Sequence, residues 1–165
     1  MIWLIVLLKI DLMAMIINIV ITLTTILLME AITWFTHKYV MHGFLWYLHK
    51  DHHQPKYSNW FEKNDLFFVI FAVPSSLSIF FGIQQKFSEI FYIGLGILLY
   101  GICYFIVHDV IIHQRFKWFK NINWRYLKAL RKGHKMHHKV IGKEGKESFG
   151  MLLVPMKYFK EKYSS

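Results

Sequence analysis

The chain alternates long apolar stretches with short polar segments that are rich in histidine. Three apolar stretches contain about the 20 residues that a helix rising about 1.5 Å per residue needs to cross a bilayer. They extend over residues 12–35, 66–83 and 90–107. Only the segment QQKFSE separates the last two, which predicts a tight antiparallel hairpin. The pattern predicts an all-α integral membrane protein whose first ten residues extend the first helix or lie along the interface.

Length and composition indicate one domain rather than several. The 165 residues contain no linker-like stretch, so residues 1–165 are expected to form a single domain. Hydrophobic residues make up 55% of the chain, yet its formal net charge is +10, which is typical of a membrane protein with a basic face. The single cysteine, Cys103, excludes an intrachain disulfide and disfavours a thiolate metal site. Any metal would therefore be held by histidine or carboxylate.

All ten histidines fall into four short boxes. The first two, HKYVMH and HKDHH, occupy residues 37–53, and the last two, HDVIIH and HKMHH, lie within residues 108–138. The first span ends at the first box, the second begins after the second box, and the third runs into the third box. All four boxes are therefore expected on one side of the membrane. Residues 113–165 contain fourteen Lys or Arg and three acidic residues, which predicts that this side is cytoplasmic.

The basic C-terminal region has other possible explanations. It could be a face that attracts anionic lipid. The segment WRYLKALRKGHKMHH has helical periodicity, with Trp124, Leu127 and Leu130 on one side, and predicts an interfacial amphipathic helix that carries the fourth box. A nucleic-acid partner is not expected, because no recognisable binding motif accompanies the charge.

The spacing within the boxes indicates metal ligands. Residues three and four apart share a helix face, so His49 could converge with His52 and His53 on one point, and the fourth box repeats that spacing. The looser boxes are spaced by five, which separates the two side chains by about 140° on an ideal helix. Either each member of a looser pair serves a different metal, or a local π-bulge brings the two together.

The number of histidines distinguishes between classes of site. A proton relay would need carboxylates within the spans, where only Glu30 clearly lies, and a bis-histidine haem protein would place single histidines at membrane depth. A structural zinc ion takes only four ligands. Two metals with about five imidazoles each, leaving positions open for oxygen, account for all ten. The candidate ligands are His37, His42, His49, His52, His53, His108, His113, His134, His137 and His138.

The boxes resemble those of the membrane fatty acid hydroxylase and desaturase superfamily. More narrowly, the sequence resembles the bacterial β-carotene hydroxylase family, through the segments MEAITWFTHKYVMHGFLWYLHKDHH, FEKNDLF, VHDVIIHQRFKW, YLKALRKGHKMHHK and FGMLLVP. The resemblance covers about residues 29–159. The superfamily is usually drawn with four spans, so three to four transmembrane helices with cytoplasmic extensions are expected.

That resemblance implies a non-haem di-iron monooxygenase with molecular oxygen as co-substrate. It implies hydroxylation of carbon 3 of the β-ionone ring, from β-carotene through β-cryptoxanthin to zeaxanthin, with electrons from a reduced ferredoxin. The carotenoid would enter from the lipid of a bacterial inner membrane, and the active site would face the cytoplasm. Imidazole discriminates weakly between metals, so a purified sample could carry zinc. The alternatives are a fatty acid, sterol or alkane hydroxylase or desaturase, and a membrane metal-binding or transport protein without enzymatic activity.

Two carboxylates are weaker candidates for a role beside the metals. Glu30 lies seven residues before His37, on nearly the same helix face and two turns deeper, where a carboxylate usually needs a partner. Asp109 adjoins His108 and could orient its imidazole through the second ring nitrogen. For each, a structural role is as reasonable as a functional one.

Three further polar residues are expected to have structural roles only. Asn64 and Asp65 precede the second span and are expected to be helix N-cap residues. Arg115 is expected to be a charge at the membrane edge rather than a catalyst.

Overall fold

The computed structural model describes residues 2–54, 61–116, 118–119, 121, 123–140 and 147–160, with side chains from residue 11 onward. All regular structure within these residues is helical, as the sequence predicts. The elements are α1 (Ile2–Phe35), the π-helical turn π1 (Thr36–Phe44), α2 (Trp46–His53), a 3₁₀ turn (Lys63–Asp65), α3 (Leu66–Gln84), α4 (Glu89–Phe105), the π-helical turn π2 (Ile106–Ile112), α5 (Arg125–Lys139) and α6 (Lys157–Lys160).

Three helical stretches of the described chain are long and apolar enough to cross a membrane. They are Asp11–Phe44, Lys63–Gln84 and Glu89–Ile112, and each contains one of the predicted spans. The helices run beyond the predicted limits because the flanking polar boxes continue the helical backbone. α1 begins at Ile2, so the first residues extend the first helix. Many apolar side chains of these helices are exposed, which gives a surface suited to lipid.

The predicted hairpin is present, and glycine lets its two helices approach closely. A Cβ atom at Gly82 of α3 would lie 2.4 Å from the backbone nitrogen of Phe91 in α4. Farther along the same two helices, the Ser75 hydroxyl of α3 donates a hydrogen bond to the carbonyl of Gly94 in α4 at 2.8 Å. Small residues at such a crossing are typical of packing between membrane helices. The hairpin therefore holds π2, at the end of α4, at a defined distance from α3.

α5 lies across the end of the third span and carries the fourth histidine box. Its buried face consists of Ala129, Leu130, Gly133, His134 and His137. Leu130 packs with Val107 and Met151 in a small core, so the predicted amphipathic helix is present. The prediction for Trp124 was wrong, because this residue precedes the helix in extended backbone and is 64% exposed. Helical periodicity does not apply to a residue outside the helix.

Candidate metal centre

The two looser boxes form π-helical turns, which brings each pair of histidines together. The backbone N–H of His113 donates to the carbonyl of His108 at 2.8 Å, which is the i→i+5 bond of a π-helix. The ring centroids of His108 and His113 are consequently 4.4 Å apart. Those of His37 and His42 are 5.1 Å apart. The π-bulge alternative therefore describes both boxes, and each pair joins one group rather than two.

Nine of the ten histidines form two groups whose ligand atoms lie within 4.8 Å of one another. The first group consists of His37, His42, His49, His53 and His137. The second group consists of His52, His108, His113 and His134. His138 lies between the groups, with its ring centroid 4.2 Å from that of His53 and 4.5 Å from that of His134. Its assignment as a ligand stays a prediction.

The tight boxes, HKDHH and HKMHH, each contribute histidines to both groups. The sequence predicts instead that the histidines of each box would converge on one point. His49 and His53 of α2 belong to the first group, whereas His52 belongs to the second. In α5, His137 belongs to the first group and His134 to the second. Successive helical residues differ by about 100° in direction, so neighbours such as His52 and His53 point to two adjacent places. Each of these helices therefore contributes to both groups.

The inner ring nitrogens are spaced as the ligands of one ion would be. Nε2 of His49 is 3.1 Å from Nε2 of His37 and 3.2 Å from Nε2 of His53. In the second group, Nε2 of His113 is 2.9 Å from Nε2 of His134. Two nitrogens that each lie about 2.1 Å from an ion, at a right angle, are about 3.0 Å apart. The two groups therefore fit metal ions geometrically.

The outer ring nitrogens are the Nδ1 atoms, which point away from the other histidines. Their contacts show which nitrogen of each ring carries the proton. Nδ1 of His52 lies 2.8 Å from a Glu62 carboxylate oxygen, and Nδ1 of His108 lies 3.2 Å from an Asp109 carboxylate oxygen. Each Nδ1 therefore carries the proton of a neutral imidazole, which leaves a bare lone pair on Nε2. The two Nε2 atoms face each other at 3.1 Å. Opposed lone pairs repel unless a cation lies between them, so the donor set fits a bound metal.

Burial favours the neutral form, which binds metals, for His52 and His134 of the second group. Burial, followed by the neighbouring His113, His108 and His138, lowers the pKa of His52 well below its usual value. Burial also lowers the pKa of His134, with His108 and His113 as the next causes. At neutral pH these two rings are therefore uncharged.

Neutral acceptors hold the outer nitrogens of three histidines in the first group. The carbonyl oxygen of Phe149 lies 2.9 Å from Nδ1 of His37, and that of Glu147 lies 2.8 Å from Nδ1 of His137. Nδ1 of His49 lies 2.6 Å from the side-chain oxygen of Asn64. The interpretation of Asn64 as an N-cap was therefore wrong, because its amide holds a histidine instead.

The two carboxylates singled out from the sequence have different positions. Asp109 lies beside His108 as expected, and its orienting role stays a prediction. Glu30 is buried, and its Oε1 atom accepts hydrogen bonds from the backbone N–H groups of Met151, Leu152 and Leu153 at 2.9–3.0 Å. Its Oε2 atom accepts a bond from the Tyr100 hydroxyl at 2.7 Å. Glu30 therefore anchors the C-terminal segment that brings Phe149 to His37.

Arg115, which the sequence predicts as a charge at the membrane edge, lies among three carboxylates. Its guanidinium is 3.0 Å from Glu62, 3.0 Å from Asp65 and 3.2 Å from Asp109. Burial raises the pKa of Glu62, and Arg115 acts in the opposite direction. Glu62 and Arg115 were not predicted to be site residues. They lie in the segments FEKNDLF and HDVIIHQRF, respectively, which resemble segments of the hydroxylases. Their pairing depends on a contact between distant segments.

A cavity of about 600 Å³ lies among the three spans and reaches the second group. Its wall is mainly apolar and aromatic, and His108 and Asp109 lie at one end of it. Some lining side chains, including Phe68 and Ile102, are also exposed on the apolar surface of the spans. The remaining apolar lining includes Met29, Phe67, Phe71, Ile97, Leu98 and Phe105. An apolar molecule could thus pass between the lipid phase and the histidines.

Comparisons with known proteins agree with this arrangement. The family model described as fatty acid hydroxylase matches residues 22–159. The chain is 44% identical to a β-carotene hydroxylase of Pantoea ananas over 138 residues, which cover 84% of this chain and 78% of the relative. It is 41% identical to one of Pseudescherichia vulneris, with 84% and 77% covered, and 38% identical to one of Paracoccus sp. (strain PC1), with 82% and 83% covered.

No solved structure gives a significant match to the chain. The family match includes the first apolar helix from residue 22 onward, the other two apolar helices and all four histidine boxes. The chain belongs to the fatty acid hydroxylase family, and its relatives include bacterial β-carotene hydroxylases.

Proposed function

We propose that the protein is a β-carotene 3-hydroxylase that converts β-carotene through β-cryptoxanthin to zeaxanthin. The names of the bacterial relatives support this substrate. The observation that carries the proposal is the apolar cavity that extends from the exposed surface of the spans to His108. A hydrocarbon ring inside this cavity would present a C–H bond to the histidine groups.

Two iron ions held by the two histidine groups would activate dioxygen when bound. One oxygen atom would enter the C–H bond, and the other would leave as water after two electrons and two protons are supplied. The first group offers five imidazoles and the second offers four, with His138 between them. Fewer than six ligands per ion leaves positions for oxygen, which is typical of non-haem iron oxygenases. The fit of the histidine groups to metal ions depends on the Nε2 atoms of His52 and His108, whose lone pairs carry no proton.

The side chains of the cavity would bind the ring and exclude water. Phe67, Phe71 and Leu98 offer contact to a rigid apolar polyene but few hydrogen bonds. Asn64, Glu62 and Asp109 hold the imidazoles in fixed tautomers through their Nδ1 atoms, so each Nε2 remains directed at the metal. The substrate has two identical rings, so it must leave and return with its other end to be hydroxylated twice.

We place the histidine groups on the cytoplasmic side of a bacterial inner membrane. The excess of Lys and Arg after residue 113 supports this orientation. A reduced ferredoxin with an acidic surface would then be attracted to the basic side of α5, where Arg125, Lys135 and Lys139 are exposed. The same charges also attract anionic lipid.

Pigment analysis in cells that make β-carotene tests the proposed function. Expression of the chain with a working ferredoxin supply should yield zeaxanthin, with β-cryptoxanthin as the intermediate, by liquid chromatography. The His52→Ala variant is the matched control and should leave β-carotene unchanged. If hydroxylated fatty acids or sterols appear while β-carotene is unchanged and the iron content is normal, the substrate is one of those lipids and not a carotenoid. A protein that binds metal but consumes no oxygen would contradict the enzymatic proposal.

A further inference from the structure

The two histidine groups differ in the charge of the groups that hold their outer nitrogens. In the first group, the Nδ1 atoms of His37 and His137 face backbone carbonyls, and that of His49 faces an amide oxygen. In the second group, the Nδ1 atoms of His52 and His108 face the carboxylates of Glu62 and Asp109. A carboxylate makes the imidazole a stronger electron donor than a neutral acceptor does. The two metal positions are therefore chemically unequal.

Arg115 is the counter-charge that allows these carboxylates to lie together. Its Nη2 atom pairs with Glu62, and its Nη1 atom pairs with Asp65 and Asp109. The side chain of Arg115 is only 23% exposed, and that of Asp109 only 13%, so their charges are incompletely solvated. Like charges that lie together in a partly buried place repel one another, which would push the carboxylates away from the imidazoles that they hold. Arg115 opposes this effect and fixes both carboxylates through directional hydrogen bonds.

We propose that Arg115 is a positioning residue for the second histidine group and makes its metal the more tightly held of the two. Arg115 acts through Glu62 on His52 and through Asp109 on His108, without contact to the metal itself. The outer acceptors of His37, His49 and His137 in the first group are neutral, so its metal is expected to leave first. This inference rests on the proposed two-metal centre and concerns only the difference between its two positions.

Metal release from the purified full-length protein tests the inference. The detergent-solubilised wild type, loaded with iron, is mixed with an excess of chelator, and the metal that remains is measured over time by elemental analysis. Two phases of about one metal each are expected. In Arg115→Gln the slow phase should accelerate by about 10–100-fold, the usual effect of losing an outer partner of a metal ligand. The fast phase should be unchanged.

Mössbauer spectroscopy of the iron-57 protein supplies a readout that does not depend on activity. The wild type should show two quadrupole doublets of equal area, and Arg115→Gln should alter only one. Arg115→Lys keeps the charge without the planar donor geometry, so it should restore part of the slow release. Arg125→Gln, which removes an exposed cation at the start of α5, is the matched control and should resemble the wild type.

Exchange of the outer acceptors tests the same inference if Arg115→Gln does not fold. Glu62→Gln should accelerate the slow phase, whereas Asn64→Asp places a carboxylate on His49 and should slow the fast phase. Release of both metals in one phase, or an equal change in both phases in Arg115→Gln, contradicts the inference alone. A wild type that retains no metal under any loading condition contradicts the two-metal centre and the inference together.

Discussion

The Nε2 atoms of His52 and His108 face each other at 3.1 Å although each ring donates its Nδ1 proton to a carboxylate. A hydrogen bond between these two Nε2 atoms would require a second proton on one ring, and burial opposes that charge on His52. The contact is therefore repulsive in the protein alone. It becomes favourable when a cation accepts both lone pairs, so folding and metal binding should be coupled.

Removal of one ligand from each group should lower metal content and abolish hydroxylation. We predict that His52→Ala and His137→Ala each retain about one metal instead of two, because the two residues belong to different groups. Elemental analysis of purified protein gives the metal content, and pigment chromatography gives the activity. Lys86→Ala, an exposed substitution in the turn between α3 and α4, is the control. Full activity in either histidine variant would rule out the shared centre.

A bulky side chain at Gly101 should block the cavity without disturbing the fold. Gly101 lines the cavity, and a Cβ atom there meets no other atom within 4 Å. We expect Gly101→Phe to lower activity at least about tenfold, or about 1.4 kcal/mol of barrier, with unchanged metal content. Leu99→Phe, on an exposed part of the same helix, is the matched control. Wild-type activity in Gly101→Phe would show that substrate does not use this cavity.

Loss of the Glu30 carboxylate should release the C-terminal segment. Glu30→Ala leaves three backbone donors without their acceptor, and the loss at the buried N–H of Met151 alone costs about 1–3 kcal/mol. We expect a lower unfolding temperature in detergent, together with faster proteolysis near residues 147–153 and weaker metal retention by the group that contains His37. Glu30→Gln, which keeps an acceptor oxygen, should show a smaller effect. Glu89→Gln, an exposed change on α4, is the control, and an equal loss there would contradict the anchoring role.

Single-cysteine labelling tests the orientation of the helices. In a Cys103→Ala background, cysteines at Lys50 and Asn123 should react only with reagent added from the cytoplasmic side. A cysteine at Gln85, in the turn between α3 and α4, should react only from the opposite side. These three positions are exposed in the structure. Labelling of Lys50→Cys and Asn123→Cys from opposite sides would separate the histidine boxes and contradict a shared centre.

Local sequence patterns were sufficient for the helices and for the gathering of the histidines. Three spans follow from the lengths of the apolar stretches, and their parity brings the boxes to one end. The sequence could not predict that His52 and His53 belong to different groups, because this depends on how π1 positions α2 relative to α5. The partnership of Arg115 with Glu62 joins segments more than fifty residues apart. Nothing in either segment alone distinguishes this pairing from two solvated charges.

The π-helical turns also make the centre sensitive to chain length. Each π turn accommodates one residue more than an α turn, so its five-residue interval rotates the backbone about as far as four residues of an α-helix do. Deletion of one residue between His37 and His42 would therefore leave those two histidines on one helix face, because an interval of four suits an α-helix. An inserted residue that the turn does not absorb would instead rotate α2 by about 100° about its axis, and His49 and His53 would then point away from the first group. Insertions in these turns should therefore be less tolerated than single-residue deletions or most substitutions there.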